Sequence, residues 1–502
     1  MKSDLTRDTF DARNHFSRVL QQQGRVTLDA DNNEQASILL HYLQTLAKDL
    51  IGPYGAPAVD GGFQLKTDEQ GVLTIGAGRY YVDGILVEND QDCAYASQPD
   101  YPLPVDDALL KEIKDSTGKT FWIYLDVWER LITSIENDVI REKALGGPDT
   151  CTRAKVVWQV KALPIENDGT RIDNAALKEK LAALQKQKKD LQKQLEKAVD
   201  AAAKADLQNK ITAVDAEVAR LKGAATDSGP ANVQLSCSAP LGQLSETGGG
   251  LLAARVDPGH ISESPCITAP DAKYRGLENQ LYRVEVHNGG AAGAATFKWS
   301  RDNGSVATAW LGTAGNDLQV LNSRGFTAGN WVELSDDTTD LQGQAGILVK
   351  LAKVEGGALT IDPASLPYGA TAAWSNQLVN PKLRRWDQIQ TEDIVLSGGA
   401  VPITEKTETE PTWIDLEDGI QVQFSGGGEY RTGDYWLIPA RVATGEIEWP
   451  VDSSNLPAVQ SAKGVVHHYA PLGYITWDDG ELQFNNCRCE FGAIGVCAGA
   501  TT

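Results

Sequence analysis

Phe121-Trp122-Ile123-Tyr124-Leu125-Asp126-Val127-Trp128 is a run of eight residues in which only Asp126 is neither apolar nor aromatic. Its mostly apolar content predicts a long strand central to a sheet. The sequence on either side keeps the same character. Upstream, Gly78-Arg79-Tyr80-Tyr81-Val82-Asp83-Gly84-Ile85-Leu86-Val87 reads as a hairpin whose Asp-Gly pair supplies the turn. Downstream, Tyr282-Arg283-Val284-Glu285-Val286-His287 alternates, and Asn288-Gly289-Gly290 turns the chain toward Thr296-Phe297-Lys298-Trp299-Ser300. Asp302-Asn303-Gly304 closes another hairpin, and Trp331-Val332-Glu333-Leu334, Gly346-Ile347-Leu348-Val349-Lys350-Leu351 and Leu359-Thr360-Ile361 read as a small barrel. Residues 419–424, 434–441 and 473–477 continue the pattern. The expected fold class is mainly β and multidomain, with β-sandwich and small-barrel bodies.

Two stretches depart from that pattern. Residues 33–51 place Leu39, Leu43, Leu46 and Leu50 at spacings of four, three and four, which predicts an amphipathic helix. Asp31 or Asn32 is the expected N-cap, and Gly52-Pro53 the stop. Residues 173–222 contain neither Gly nor Pro. Leu177, Leu181, Leu184, Leu191 and Leu195 follow an a/d heptad with Lys188 at one a position, and Leu207, Ile211, Val214, Val218 and Leu221 follow a second register. The slip at 199–204, with β-sequence on both sides, predicts an inserted antiparallel helical hairpin (coiled coil); one long helix in a parallel trimer with a stutter is the alternative.

A chain of 502 residues allows about two to four domains. The formal net charge of -22 disfavours nucleic acid and anionic membranes, which need clustered Lys and Arg. Met1-Lys2-Ser3-Asp4-Leu5 opens no apolar signal region, and no run of eighteen apolar residues spans a membrane. Assembly in the cytoplasm without a signal peptide is expected, with an extracellular phase only after release.

The residues suited to chemistry are scattered. Asp29, Asp31 and Asn33 alternate like the opening of a calcium loop, yet the sixth and twelfth positions hold Glu34 and Leu40. Helix capping is the expected role, a weak cation site the alternative. Cys487, Cys489 and Cys497 are three thiols where a zinc site wants four in two close pairs, so no metal is expected; a disulfide within the tail would fit an oxidising compartment. The six histidines form no zinc-protease pair, His467-His468 sits before a Pro turn, and no nucleophile elbow, phosphate loop or dinucleotide fingerprint occurs. Asp336-Asp337, Asp415 with Glu417 and Asp418, and Asp478-Asp479 are read as turn and surface charges. Outward members among Trp122, Trp128, Trp299, Trp310, Trp331 and Trp436 could stack on sugar rings, although core packing is the default. No catalytic residue, cofactor or metal is expected, and the chain reads as a non-enzyme.

Arg7-Asp8-Thr9-Phe10-Asp11, the stretch from Gly24 to Gln35, Tyr274-Arg275-Gly276-Leu277-Glu278-Asn279-Gln280-Leu281, Phe297-Lys298-Trp299-Ser300-Arg301-Asp302-Asn303-Gly304 and Arg431-Thr432-Gly433-Asp434-Tyr435-Trp436 together resemble an uncharacterised bacterial family associated with phage-tail-like contractile injection systems. The opening also resembles tail-fibre and baseplate attachment domains. The resemblance implies a structural component of such a particle, baseplate- or fibre-associated, acting by protein–protein attachment. It also implies homo-oligomerisation, as a trimer, with baseplate, sheath or fibre proteins as partners. Arg7, Phe10, Phe16, Leu39, Leu43, Leu46 and Leu50 are the docking candidates. A carbohydrate-binding or glycan-cleaving surface protein is the alternative, and effector cargo a further one. The expected domains are an arm and docking helix at 1–55, a first β domain at 56–170, the helical insertion at 171–223, a second β domain at 224–324, a barrel at 325–381 and a C-terminal β region with the cysteine tail at 382–502.

Overall fold

The computed structural model describes residues 1–67, 72–103, 107, 109, 120–165, 237, 240–244, 248–259, 273–367, 371–406, 413–478 and 481–492. The apolar run at 121–128 lies in strand Thr120–Ile132, flanked on both edges as its composition demands. On one side it pairs antiparallel with Arg153–Ile165 over thirteen rungs, from Thr120 opposite Ile165 to Ile132 opposite Arg153. On the other it pairs with His468–Asp478, which then turns into Glu481–Asn486. The first body is therefore assembled from both halves of the chain. Tyr54–Pro57 repeats the arrangement, pairing in parallel with Glu490–Phe491 and antiparallel with Gly78–Val82. The shared core holds Phe63, Tyr80, Phe121, Ile123, Leu125, Trp158 and Ile475, with Phe63 edge-on to Trp158 at 5.0 Å.

The second body is a sandwich. Gln280–Asn288 runs between Thr296–Ser300 and Tyr435–Arg441 in one sheet, and Ile420–Ser425 beside Leu251–Val256 forms the other. Val284, Phe297, Trp299 and Trp436 from one sheet meet Leu252, Val422 and Phe424 from the other in one core. Between the two bodies sits a closed six-stranded barrel of Ala307–Ala314, Asp317–Val320, Ala358–Ile361, Ile347–Glu355, Trp331–Ser335 and Lys382–Trp386. Its interior is filled by Leu318, Val332, Val349, Leu359 and Leu383.

Three α-helices occur among the described residues: α1 (Asp29–Ile51), α2 (Leu241–Leu244) and α3 (Asp337–Leu341). The expected fold class is corrected here. The chain is mainly β, with open sheets and a closed barrel, but the inserted helical hairpin finds no support. Residues 173–222 lie outside the described residues, and α1 is the only helix of more than five residues among those described.

Helix α1 starts before the expected 33–51. Leu28 occupies the N-cap position without a side-chain cap, and Asp29 in the first turn accepts from the Thr6 amide at 2.9 Å. That arm contact, invisible in local sequence, carries the helix back past Asp31 and Asn32. Gly52, at φ +97°, ends it. Helix α3 is a joint between the barrel and the first body. Asp336 caps it by accepting from Thr339 N at 2.9 Å, while Leu341 packs on Trp128 and Val157 of the first body.

Candidate functional site

The arm before α1 lies along the body residue by residue. Buried Asn303, in the left-handed conformation at φ +52°, donates from Nδ2 to the Met1 and Ser3 carbonyls at 3.0 and 2.8 Å. Arg441 donates to the Thr6 carbonyl at 3.1 Å, Arg7 pairs with Glu448 at 3.1 Å, and Lys463 pairs with Asp8 at 3.1 Å. Thr9 Oγ1 then donates to Glu34 of α1 at 2.6 Å, and Phe10 packs on His41 at 5.8 Å. Arg7 and Phe10 are thus held within the chain.

Lys2 leads into an ionic cluster where the second body meets the barrel. Its ammonium is 2.8 Å from Glu285 and 5.6 Å from the Trp386 ring. Lys298 bridges Glu285 at 3.4 Å and Glu333 at 2.5 Å, and Arg283 binds Glu285 at 2.5 Å while lying over the Tyr435 ring at 3.5 Å. Trp386 Nε1 completes Glu333 at 2.8 Å. Burial works to raise both carboxyls, but the surrounding cations outweigh it: Glu285 and Glu333 stay well below the usual carboxylate range. Burial, reinforced by Lys298, lowers His287 to about 4 and so keeps it neutral at pH 7. This cluster lines a cavity of about 490 Å³, whose opposite wall is Leu40 and Gln44 of α1 with Ile85, Trp128, Val465 and Val466.

A second cluster borders the same cavity. Carboxylate oxygens of Glu136, Asp337 and Asp340 converge within 4.8 Å of one another, the only such acidic group among the described residues. The cation they surround is an ammonium: Lys382 Nζ is 2.6 Å from Glu136, 3.3 Å from Asp337 and 2.7 Å from Asp340. Arg130 and Asn380 also bind Asp337. Burial would lift Glu136, but Lys382 and Thr133 bring it down to about 2. The position a metal would take is filled by the protein's own lysine. In both clusters the charges are neutralised by neighbours, which suits holding surfaces together better than proton transfer.

The remaining predicted positions fall into groups. Asp29 is engaged by Thr6, while Asp31 and Asn33 stay in the first turn of α1. The buried face of α1 carries Ala30 and Ile38, and Lys48 clamps it to the hairpin turn through Asp83 at 2.7 Å. Asp83 is held at about 2 by its hydrogen bond with His468 and, against burial, by Lys48. Gly84, at φ +82°, completes that turn, and a Cβ there would collide with the Gln44 carbonyl. The opposite face is bare: Leu39, Leu43, Leu46 and Leu50 are 54%, 64%, 57% and 59% exposed, and Phe16 is also exposed.

Cys487 is joined to Cys237, 250 residues away, while Cys489 is a free, exposed thiol. The bridge reaches across the chain rather than within the tail, the arrangement an oxidising compartment would have suggested; Cys497 lies outside the described residues. Trp122, Trp128, Trp299, Trp310 and Trp436 are buried and Trp331 half-buried. Asp336 and Asp337 cap and pair as described, Asp415 accepts from Gln421 at 2.8 Å, and Glu417 pairs with Arg301 at 2.7 Å. His467 is 2.7 Å from Asp126. Sequence reasoning missed Lys2, Glu285, Glu333 and Lys382, since an isolated charge in an arm or a strand carries no signal of the partner it will meet.

No curated protein matches the chain. Among solved structures, a crystal structure of TssK is similar at 10% identity and a TM-score of 0.17, covering 83% of this chain and 99% of that one; a score that low carries no argument. A family model matches residues 1–501, and the chain belongs to that family, DUF6519, a family of unknown function.

Proposed function

We propose that this chain is a non-enzymatic structural component of a phage-tail-like particle, of the contractile injection kind, attached by protein–protein contact through its N-terminal region. The observation that carries the reading is the bare leucine face of α1, held in a fixed place by an arm tied to the body from Lys2 to Asp8 and to α1 at Thr9. A soluble chain gains nothing by exposing such a face unless something covers it. Covering four half-exposed leucines contributes on the order of 4 kcal/mol, enough to matter for assembly. The mutually neutralised charges around the cavity and the burial of the strand tryptophans argue against a glycan-cleaving role. We place assembly in the cytoplasm and any extracellular phase after release.

The test is to sediment high-molecular-weight particles from gently lysed native cells and quantify this chain against sheath and tube proteins by mass spectrometry. A fixed ratio across preparations is the expected result. A chain left wholly in the supernatant refutes the particle assignment.

A further inference from the structure

The leucine face of α1 also indicates what covers it. At about 100° per residue, Leu39, Leu43, Leu46 and Leu50 fall within about 60° of one another, opposite Ala30 and Lys48 and about 110° from buried Ile38. From Gln35 to Ala47 the helix contains no Asp, Glu, Lys or Arg, although charged residues make up 23% of the chain. In a protein of net charge -22, this is a strip on which two like-charged molecules can meet without repulsion. The spacing of the four leucines, four, three and four, reads the same in both directions. A two-fold axis crossing between Leu43 and Leu46 therefore sets each Leu43 against the mate's Leu46 and each Leu39 against the mate's Leu50. The acidic residues of α1 fix the direction. Asp29 and Glu34 are taken up by Thr6 and Thr9 of the arm, which leaves Asp31 near the N-terminal end and Asp49 near the C-terminal end. Parallel helices would set Asp31 and Asp49 beside their counterparts, whereas antiparallel helices set Asp49 near the mate's Leu40 and carry Asp31 past the end of the mate's helix.

We propose that two copies of this chain pair through α1, antiparallel, about a two-fold axis between Leu43 and Leu46. This rests on reading the leucine face as an assembly surface, and it replaces the trimer implied by resemblance with a dimer. The neighbouring Tyr42 and Ala47 widen the contact on either side of the seam.

Sedimentation velocity with light scattering on the purified full chain, over a dilution series, tests the pairing. The expected species has twice the 54.1 kDa chain mass. Leu43→Glu, introduced at an exposed position but present twice in the interface, raises the dissociation constant at least about tenfold and leaves single chains with an unchanged melting profile. Val139→Gln, on an exposed apolar residue outside the seam, leaves the two-chain mass intact. A wild-type chain of single or triple mass overturns the pairing, as does a Leu43→Glu chain that keeps the wild-type mass. Failure here is separable from failure of the particle assignment. Chains that are single when purified but pellet with particles at a fixed ratio sink only the pairing; two-chain species that never pellet sink only the particle assignment.

Discussion

Lys382 shows how one side chain can decide the meaning of an acidic cluster. Three converging carboxylates would read as a cation site if the ammonium between them were overlooked. Lys382 itself is buried, so desolvation opposes its charge, and only Asp340, Glu136 and Asp337 keep it protonated, above its ordinary pKa. Lys382→Met keeps the length of the side chain and removes the charge, leaving carboxylates that face each other across a partly dry site. The expected cost is about 3 kcal/mol at pH 7, read from urea denaturation. The pH dependence follows from Glu136. Its folded value, about 2, lies below its ordinary 4.5, so its contribution is complete above about 4.5 and is lost as pH falls toward 2. The variant lacks that contribution at every pH. Its deficit should therefore be largest at neutral pH and shrink on acidification through that window. A deficit independent of pH would assign the loss to packing alone.

At the scale of elements, what could be read from the sequence was whatever is encoded locally. The run at 121–128 announces a central strand because seven of its eight side chains are apolar or aromatic. Asp83-Gly84 announces its turn because both residues accept positive φ, +49° and +82°. The leucines of α1 announce a helix, though not which way they face. Distant pairings leave no local trace: His468–Asp478 joining Thr120–Ile132, Lys382–Trp386 closing the barrel, and Cys487 finding Cys237. The start of α1 was misread for the same reason, since Thr6 lies 23 residues from the Asp29 it binds. Gly84 joins the two kinds of information. Its positive φ is a property of the turn, whereas the lack of a Cβ is what lets α1 lie against it. Gly84→Ala should cost about 2 kcal/mol or more through the left-handed backbone and the collision with the Gln44 carbonyl. Hydrogen exchange checks where that cost falls: amides of α1 should lose protection ahead of those in Thr120–Ile132. Uniform loss would mean that the turn serves the sheet and not the helix.

For the whole molecule, the arm decides whether α1 is a fixed feature or a loose appendage. Four attachments hold it: Lys2 in the ionic cluster, Asn303 on the Met1 and Ser3 carbonyls, the Arg7, Glu448 and Arg441 group on the second body, and Lys463 on Asp8. The same helix is clamped to the first body through Lys48 and Asp83. Arm and helix together form a strap across two bodies. Removing Lys2 does not unbalance the cluster beneath it, because Arg283 and Lys298 still neutralise Glu285 and Glu333. Removing Arg7 leaves Arg441 on Glu448. The double variant Lys2→Ala with Arg7→Ala should therefore lower stability by only about 1–2 kcal/mol. Its larger effect should be local. Hydrogen exchange in residues 1–51 should rise toward that of an untethered segment, while Gln280–Asn288 and Lys382–Trp386 keep their protection. If those strands open together with the arm, the arm is part of the core fold. If they do not, the arm is a strap whose work is to hold the leucine face where a partner can meet it.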